Sequence, residues 1–135
     1  MASYYVYASF APPIAADLSK SLQLEYQTGR IDNPHPFTLT APGGGKIQLT
    51  ATITDGGCIT KEIVVVKAVE TAANQITVIH LLYTLDGQPC KAFFTRELKT
   101  TLRPPQPGTY RIKLWINEKY YNKGEVLLGE KEITI

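Results

Sequence analysis

Lys46-Ile47-Gln48-Leu49-Thr50-Ala51-Thr52-Ile53 decides the fold class. Apolar residues occupy every second position with polar ones between them, the period of a strand that buries one face and wets the other. Asp55-Gly56-Gly57 follows, with the residue types of a tight reversal. Cys58 to Val69 then reads as the partner strand, and its Ile63–Val66 run, apolar on both faces, is expected to lie centrally in its sheet. Upstream, Gly43-Gly44-Gly45-Lys46 reads as a glycine hairpin leading into the strand. It is not a phosphate loop, because it lacks the full spacing and the Ser or Thr after the lysine, and it opens a strand instead of a helix.

The same period recurs along the chain. It is seen at Tyr4, Val6, Ala8 and Phe10, at Leu22, Leu24 and Tyr26, at Phe37, Leu39 and Ala41, and at Tyr110, Ile112, Leu114 and Ile116. The segment Ile76 to Leu85 is apolar on both parities and should be well covered. Asp86-Gly87 is a hairpin signal, and the chain is expected to return through Cys90, Ala92 and Phe94 with Lys91 and Thr95 outward. Ala68 to Gln75 has little periodicity and reads as a connecting loop. After the polar loop Asn117 to Gly124, Glu125 to Ile135 forms the last strand. Its apolar parity changes between Leu128 and Ile133, and a bulge near Gly129 restores the phase. One or two helical turns are expected around Ala15 to Ser21, with Asp17 as a cap.

Composition agrees with that pattern. Of 135 residues, 12 Ile, 7 Val, 15 Thr, 8 Tyr, 4 Phe and 1 Trp, 47 in all, are types that suit a pleated, half-buried surface. The expected fold is all-β: a two-layer antiparallel β-sandwich of about eight or nine strands in one domain over 1–135, with 1–20 as an extended or exchanged arm. A formal net charge of +2 is too small to imply a nucleic-acid partner. No apolar run approaches the roughly 20 residues that span a bilayer, so no membrane insertion is expected.

The stretch Pro107-Gly108-Thr109-Tyr110-Arg111-Ile112-Lys113-Leu114 resembles the approach to the penultimate strand of immunoglobulin-like and fibronectin-type-III-like sandwiches. The resemblance implies a tyrosine corner, in which the Tyr110 hydroxyl folds back onto upstream backbone. It covers roughly the last 35 residues and is one of architecture alone. Trp115 does not lie between the two cysteines, and neither cysteine follows Tyr110 by two residues, so no binding residue is carried over.

Chemistry-bearing clusters are sparse. His35 sits in the rigid Asn33-Pro34-His35-Pro36 segment and His80 inside an apolar strand, where a hydrogen-bonded structural role is the simpler reading. Neither the histidines nor the cysteines show compact metal-ligand spacing, and no metal or cofactor is expected. The serines Ser3, Ser9, Ser19 and Ser21 carry no nucleophile-elbow pattern, so no catalytic residue is assigned. Cys58 and Cys90 are compatible with one disulfide or with two buried thiols.

Two surfaces stand out. Lys91, Arg96, Lys99, Arg103, Arg111 and Lys113 face the single acid Glu97, and Trp115 shares the parity of Arg111 and Lys113, a candidate stacking patch for a glycan. Tyrosines crowd both ends, with Tyr4, Tyr5 and Tyr7 beside Phe10 at the start and Tyr120-Tyr121 in the last hairpin. All of these are candidate interface residues. The expected function is a non-enzymatic structural or interaction subunit that binds a protein partner or itself through edge strands and aromatic termini. A carbohydrate-binding module using Trp115, Tyr120 and Tyr121 is the alternative. An extracellular, cell-surface or virion setting is favoured over the cytoplasm.

Overall fold

The computed structural model describes the backbone of residues 2–7 and all of residues 22–135. The chain is all-β. Seven strands form one hydrogen-bonded network: β1 (Ala2–Tyr7), β2 (Gln23–Ile31), β3 (Thr38–Gly43), β4 (Lys46–Thr71), β5 (Thr77–Arg103), β6 (Thr109–Glu118) and β7 (Glu125–Thr134). Phe10 and the expected helical turn over Ala15 to Ser21 lie outside the described residues.

β4 and β5 organise everything else. They form one long antiparallel hairpin, from Thr71 opposite Thr77 to Ile47 opposite Leu102. Straight, the 27 residues of β5 would reach roughly 90 Å. Yet Thr77 at its start is registered with Tyr110, and only six residues, 104–109, lie between Arg103 and that tyrosine, a span of about 25 Å at full stretch. β5 therefore doubles back on itself, and β4 goes with it. In one arm the order is β1-β2-β5-β4-β3, using the second half of β5 and the first half of β4. In the other, the second half of β4 pairs the first half of β5, which pairs β6, which pairs β7.

Side chains from both arms close on a single core cluster. Leu24, Ile47, Leu49, Leu98 and Leu102 come from one, and Val66, Ile79, Leu81, Ile112 and Leu114 from the other. The alternation read at Ile47 to Ala51 and at Tyr110 to Ile116 is thus the buried parity of β4 and β6. Tyr110 donates its hydroxyl to the Gln106 carbonyl at 2.7 Å, the corner bond that the Pro-Gly-x-Tyr stretch implied. The bulge near Gly129 is also present: the β6–β7 register shifts between Leu114 and Trp115, skipping Leu128. A side chain at Gly129 would meet the Phe37 ring at 2.9 Å, so the glycine admits that ring, just ahead of β3, against β7.

Four expectations need correction. Asp55-Gly56-Gly57 and Asp86-Gly87 reverse nothing, because the strand runs through both, and the described residues therefore form seven strands where about eight or nine were expected of the chain. The true reversal is Ala72–Ile76, where Asn74 and Gln75 take left-handed backbone (φ 65° and 62°), a conformation asparagine tolerates better than most residues. The network is not wholly antiparallel, since β5 and β6 run parallel. The second half of β5 acts as the crossover that a parallel pair requires. Lastly, Ile63–Val66 pairs only with β5 among the described residues, so it edges its arm, and Ile63 and Val65 are half-buried.

Candidate functional site at the disulfide-pinned bend

Where β4 and β5 turn from one arm to the other, their register breaks. Asp55 opposes Phe94 and Gly57 opposes Pro89, leaving Gly56 alone against Cys90, Lys91, Ala92 and Phe93. Extra residues on one strand must loop outward. The base of this loop is cross-linked by the Cys58–Cys90 disulfide, whose Cα atoms lie 5.3 Å apart. Of the alternatives open for the two cysteines, the bridge is the one formed. At the top, Phe93 is 75% exposed.

The two glycines below the loop are occupied by aromatic rings. Tyr120 lies over Gly57, where an added Cβ would sit 2.6 Å from its hydroxyl and 2.7 Å from Cε2. Tyr121 lies over Gly56, its hydroxyl 2.8 Å from the Cβ position, with the Phe93 ring at 3.3 Å. Both tyrosines belong to the single 3-10 turn Lys119–Tyr121 after β6, which ends at Asn122 in left-handed backbone. Their rings meet edge to face, with centroids 4.7 Å apart, and Lys123 reaches over the Tyr121 ring at 5.1 Å. The glycines read from the sequence as turn formers are a socket for Tyr120 and Tyr121.

Two carboxyls underlie the socket. Asp55, 4% exposed, accepts the Gly57 amide on Oδ1 at 3.1 Å, while its Oδ2 is sealed from solvent with no donor aimed at it. Glu118 stands at the root of the turn. Burial first, then the neighbouring Asp55 carboxyl, push Glu118 up to about 7, against the pull of Lys123. Burial and Asp55 likewise raise the Tyr121 phenol.

A second polar group is structural. Glu62 accepts the Tyr83 hydroxyl at 2.5 Å and the Thr28 hydroxyl at 2.8 Å, and pairs with Arg96 at 3.3 Å. Every member is buried or nearly so, and this satisfied network ties β2, β4 and β5 together. Burial and the Glu62 bond raise the Tyr83 phenol far above its ordinary value.

Trp115 is on the outer face of the β6 arm. Its indole N–H donates to His80 Nδ1 at 3.1 Å, His80 Nε2 meets Glu70 at 2.5 Å, and Lys67 sits over the ring at 4.7 Å. Arg111 pairs with Glu132 and Lys113 with Glu130. The glycan candidates Trp115, Arg111 and Lys113 are therefore engaged with neighbours on their own sheet. His35, in turn, bonds Glu97 at 2.5 Å. Tyr4, Tyr5 and Tyr7 lie on β1, registered opposite Tyr26, Glu25 and Gln23 of β2, well away along the chain from the Tyr120-Tyr121 socket.

The sequence singled out Tyr120 and Tyr121 as interface candidates and Cys58 and Cys90 as a possible disulfide, separately, and did not bring Phe93, Asp55 or Glu118 to them. Only the outward parity of Phe93 between Ala92 and Phe94 marked that ring. No family model, curated protein or solved structure matches this chain.

Proposed function

We propose that the chain is a non-enzymatic assembly subunit, a two-layer sandwich of the immunoglobulin-like kind that meets another protein surface, in the first place a second copy of itself, through its disulfide-pinned bend. The observation that carries this reading is Phe93. A large ring, 75% exposed, stands on a short loop clamped at its base by a covalent cross-link. An aromatic held in place before binding loses little freedom on association, which is what makes such residues energetic anchors. Val126 and Leu127, exposed on β7, add apolar surface on a strand whose outer edge is unpaired among the described residues.

The Cys58–Cys90 bridge supports an oxidising, extracellular or surface setting. No helix of the described residues is long and apolar enough to cross a membrane. A carbohydrate face on Trp115 has less support, since Lys67 covers the ring that a sugar would stack on. The same β1–β2 register also suits an arm donated by a neighbouring copy, so exchange of Ala2–Tyr7 belongs to this reading.

Hydrogen exchange of the oxidised chain at low and high concentration tests the proposal. Protection that rises with concentration over residues 90–94 and 120–127 is expected. Exchange independent of concentration at these sites would remove self-assembly through the bend.

A further inference from the structure

We propose that Phe93 of one copy docks into the proline-walled cavity at the far end of the next, so that the chain associates head to tail. This rests on the assembly reading and names the surface that receives the ring.

The cavity lies at the end of the sandwich away from the bend. It measures about 350 Å³ and its walls are mostly apolar: Ala41 from the β3–β4 hairpin, Pro104, Pro105 and Pro107 from the connection between β5 and β6, and Ile135 after β7. Three of these five are proline rings, whose backbone φ is fixed before anything binds. A hollow with rigid apolar walls takes up an apolar group with little reorganisation. Phe93 supplies that group. It is the most exposed large apolar side chain described, at 75%, and the disulfide holds the base of its loop.

Knob and hole stand at opposite ends. β6 runs from Thr109, beside the proline connection, to Glu118, which leads into the tyrosine turn at the bend. Its ten residues cover about 30 Å, and β4 crosses the same interval from Lys46 to Asp55. Phe93, on a short loop, therefore cannot reach the cavity of its own chain. Contact between two unlike surfaces passes from copy to copy, building a ring or an open filament.

Charge fits the same docking. Asp32 shares a surface hollow with Phe93, and Lys46 lines the receiving cavity. Neither has an ion-pair partner among the described residues. Arg30, the cation next to Asp32, is already engaged over the Phe94 ring at 3.7 Å. Seating Phe93 in the cavity brings the Asp32 carboxylate toward the Lys46 ammonium of the next copy, a complementary pair that selects head against tail.

Sedimentation of the full, oxidised chain and its variants tests this by mixing. Phe93→Ser removes the ring, and Ala41→Trp fills the cavity from an exposed position. Each alone should weaken self-association by about tenfold or more, the scale of losing an anchor residue, with the urea midpoint unchanged. Mixed, the two should form a complex of two chains and stop, because one still carries a ring and the other an open cavity. Wild type, with both, should grow beyond two chains. Independently, Asp32→Lys and Lys46→Asp should each weaken association, and the doubly substituted chain should regain it. An Ala41→Trp protein that associates as wild type does, a mixture that stays at the single-chain mass, a wild type that stops at two chains, or a double reversal no better than either single one would overturn head-to-tail docking. In those cases protection of residues 90–94 that rises with concentration would still uphold assembly through the bend. A wild type that stays single, with Ala41→Trp shifting only the urea midpoint, would mean that the cavity is filled from its own chain, and would overturn both.

Discussion

Gly57→Ala sets two effects of opposite sign against each other. Gly57 is outside the left-handed region, so alanine fits its backbone, and the reduced freedom of the unfolded chain would by itself stabilise the protein by about 0.4–1 kcal/mol. The new Cβ, however, would stand 2.6 Å from the Tyr120 hydroxyl and 2.7 Å from its Cε2, and the ring must leave the socket. Tyrosine buries about 150–250 Å² when fully covered. Tyr120 is half-buried, and losing roughly half that area at about 25 cal/mol per Å² costs about 2–3 kcal/mol. Expulsion wins, and the variant should be destabilised by about 2 kcal/mol, which for a chain of this size lowers Tm by roughly 8 °C. Urea unfolding of the oxidised protein, followed by the fluorescence of the single tryptophan, reads the difference. In a Tyr120→Ala background the same substitution should become neutral or slightly stabilising, because the clash is gone. A stabilised Gly57→Ala single mutant, or an equal loss in both backgrounds, would refute the socket.

Other consequences can be read from the same contacts. Replacing both cysteines by serine opens a loop of sequence separation 32 and should cost roughly 3–4 kcal/mol in the chain-entropy account, seen as a lower urea midpoint. Tyr110→Phe removes the bond to the Gln106 carbonyl and should cost about 1 kcal/mol in the same assay. The His35 pKa is raised chiefly by its bond to Glu97 and next by the Pro36 carbonyl. The stability it contributes is therefore complete below its unfolded value and fades as pH rises through the higher folded one. His35→Gln should flatten that part of the stability profile above about pH 6.5.

The strands were legible wherever one face is buried and one wet, because the period-two pattern records that environment directly: Ile47, Leu49 and Ala51, then Ile112, Leu114 and Ile116. Gly129 was legible for the same reason, since a phase slip demands an extra residue. The path between strands was not. Asp55-Gly56-Gly57 and Asp86-Gly87 have the composition of reversals, but their glycines serve close approach. Tyr120 and Tyr121 fill the first pair, and the Cys58 carbonyl crowds Gly87, whose φ of 153° already excludes an ordinary side chain. Local sequence cannot distinguish a glycine needed for turning from one needed to make room for a ring more than sixty residues away. The parallel β5–β6 pair was hidden likewise, because alternation shows which face a residue takes and not which neighbour its backbone meets.

Sedimentation equilibrium of the oxidised full chain beside Phe93→Ser tests the central claim most directly. Wild type should show a native mass that is a multiple of 14.9 kDa and rises with loading concentration, while Phe93→Ser, altered only at an exposed ring, should stay at the single-chain mass with the same unfolding midpoint. A wild-type protein that remains at the single-chain mass at every concentration, or a Phe93→Ser variant that associates just as well, would contradict it.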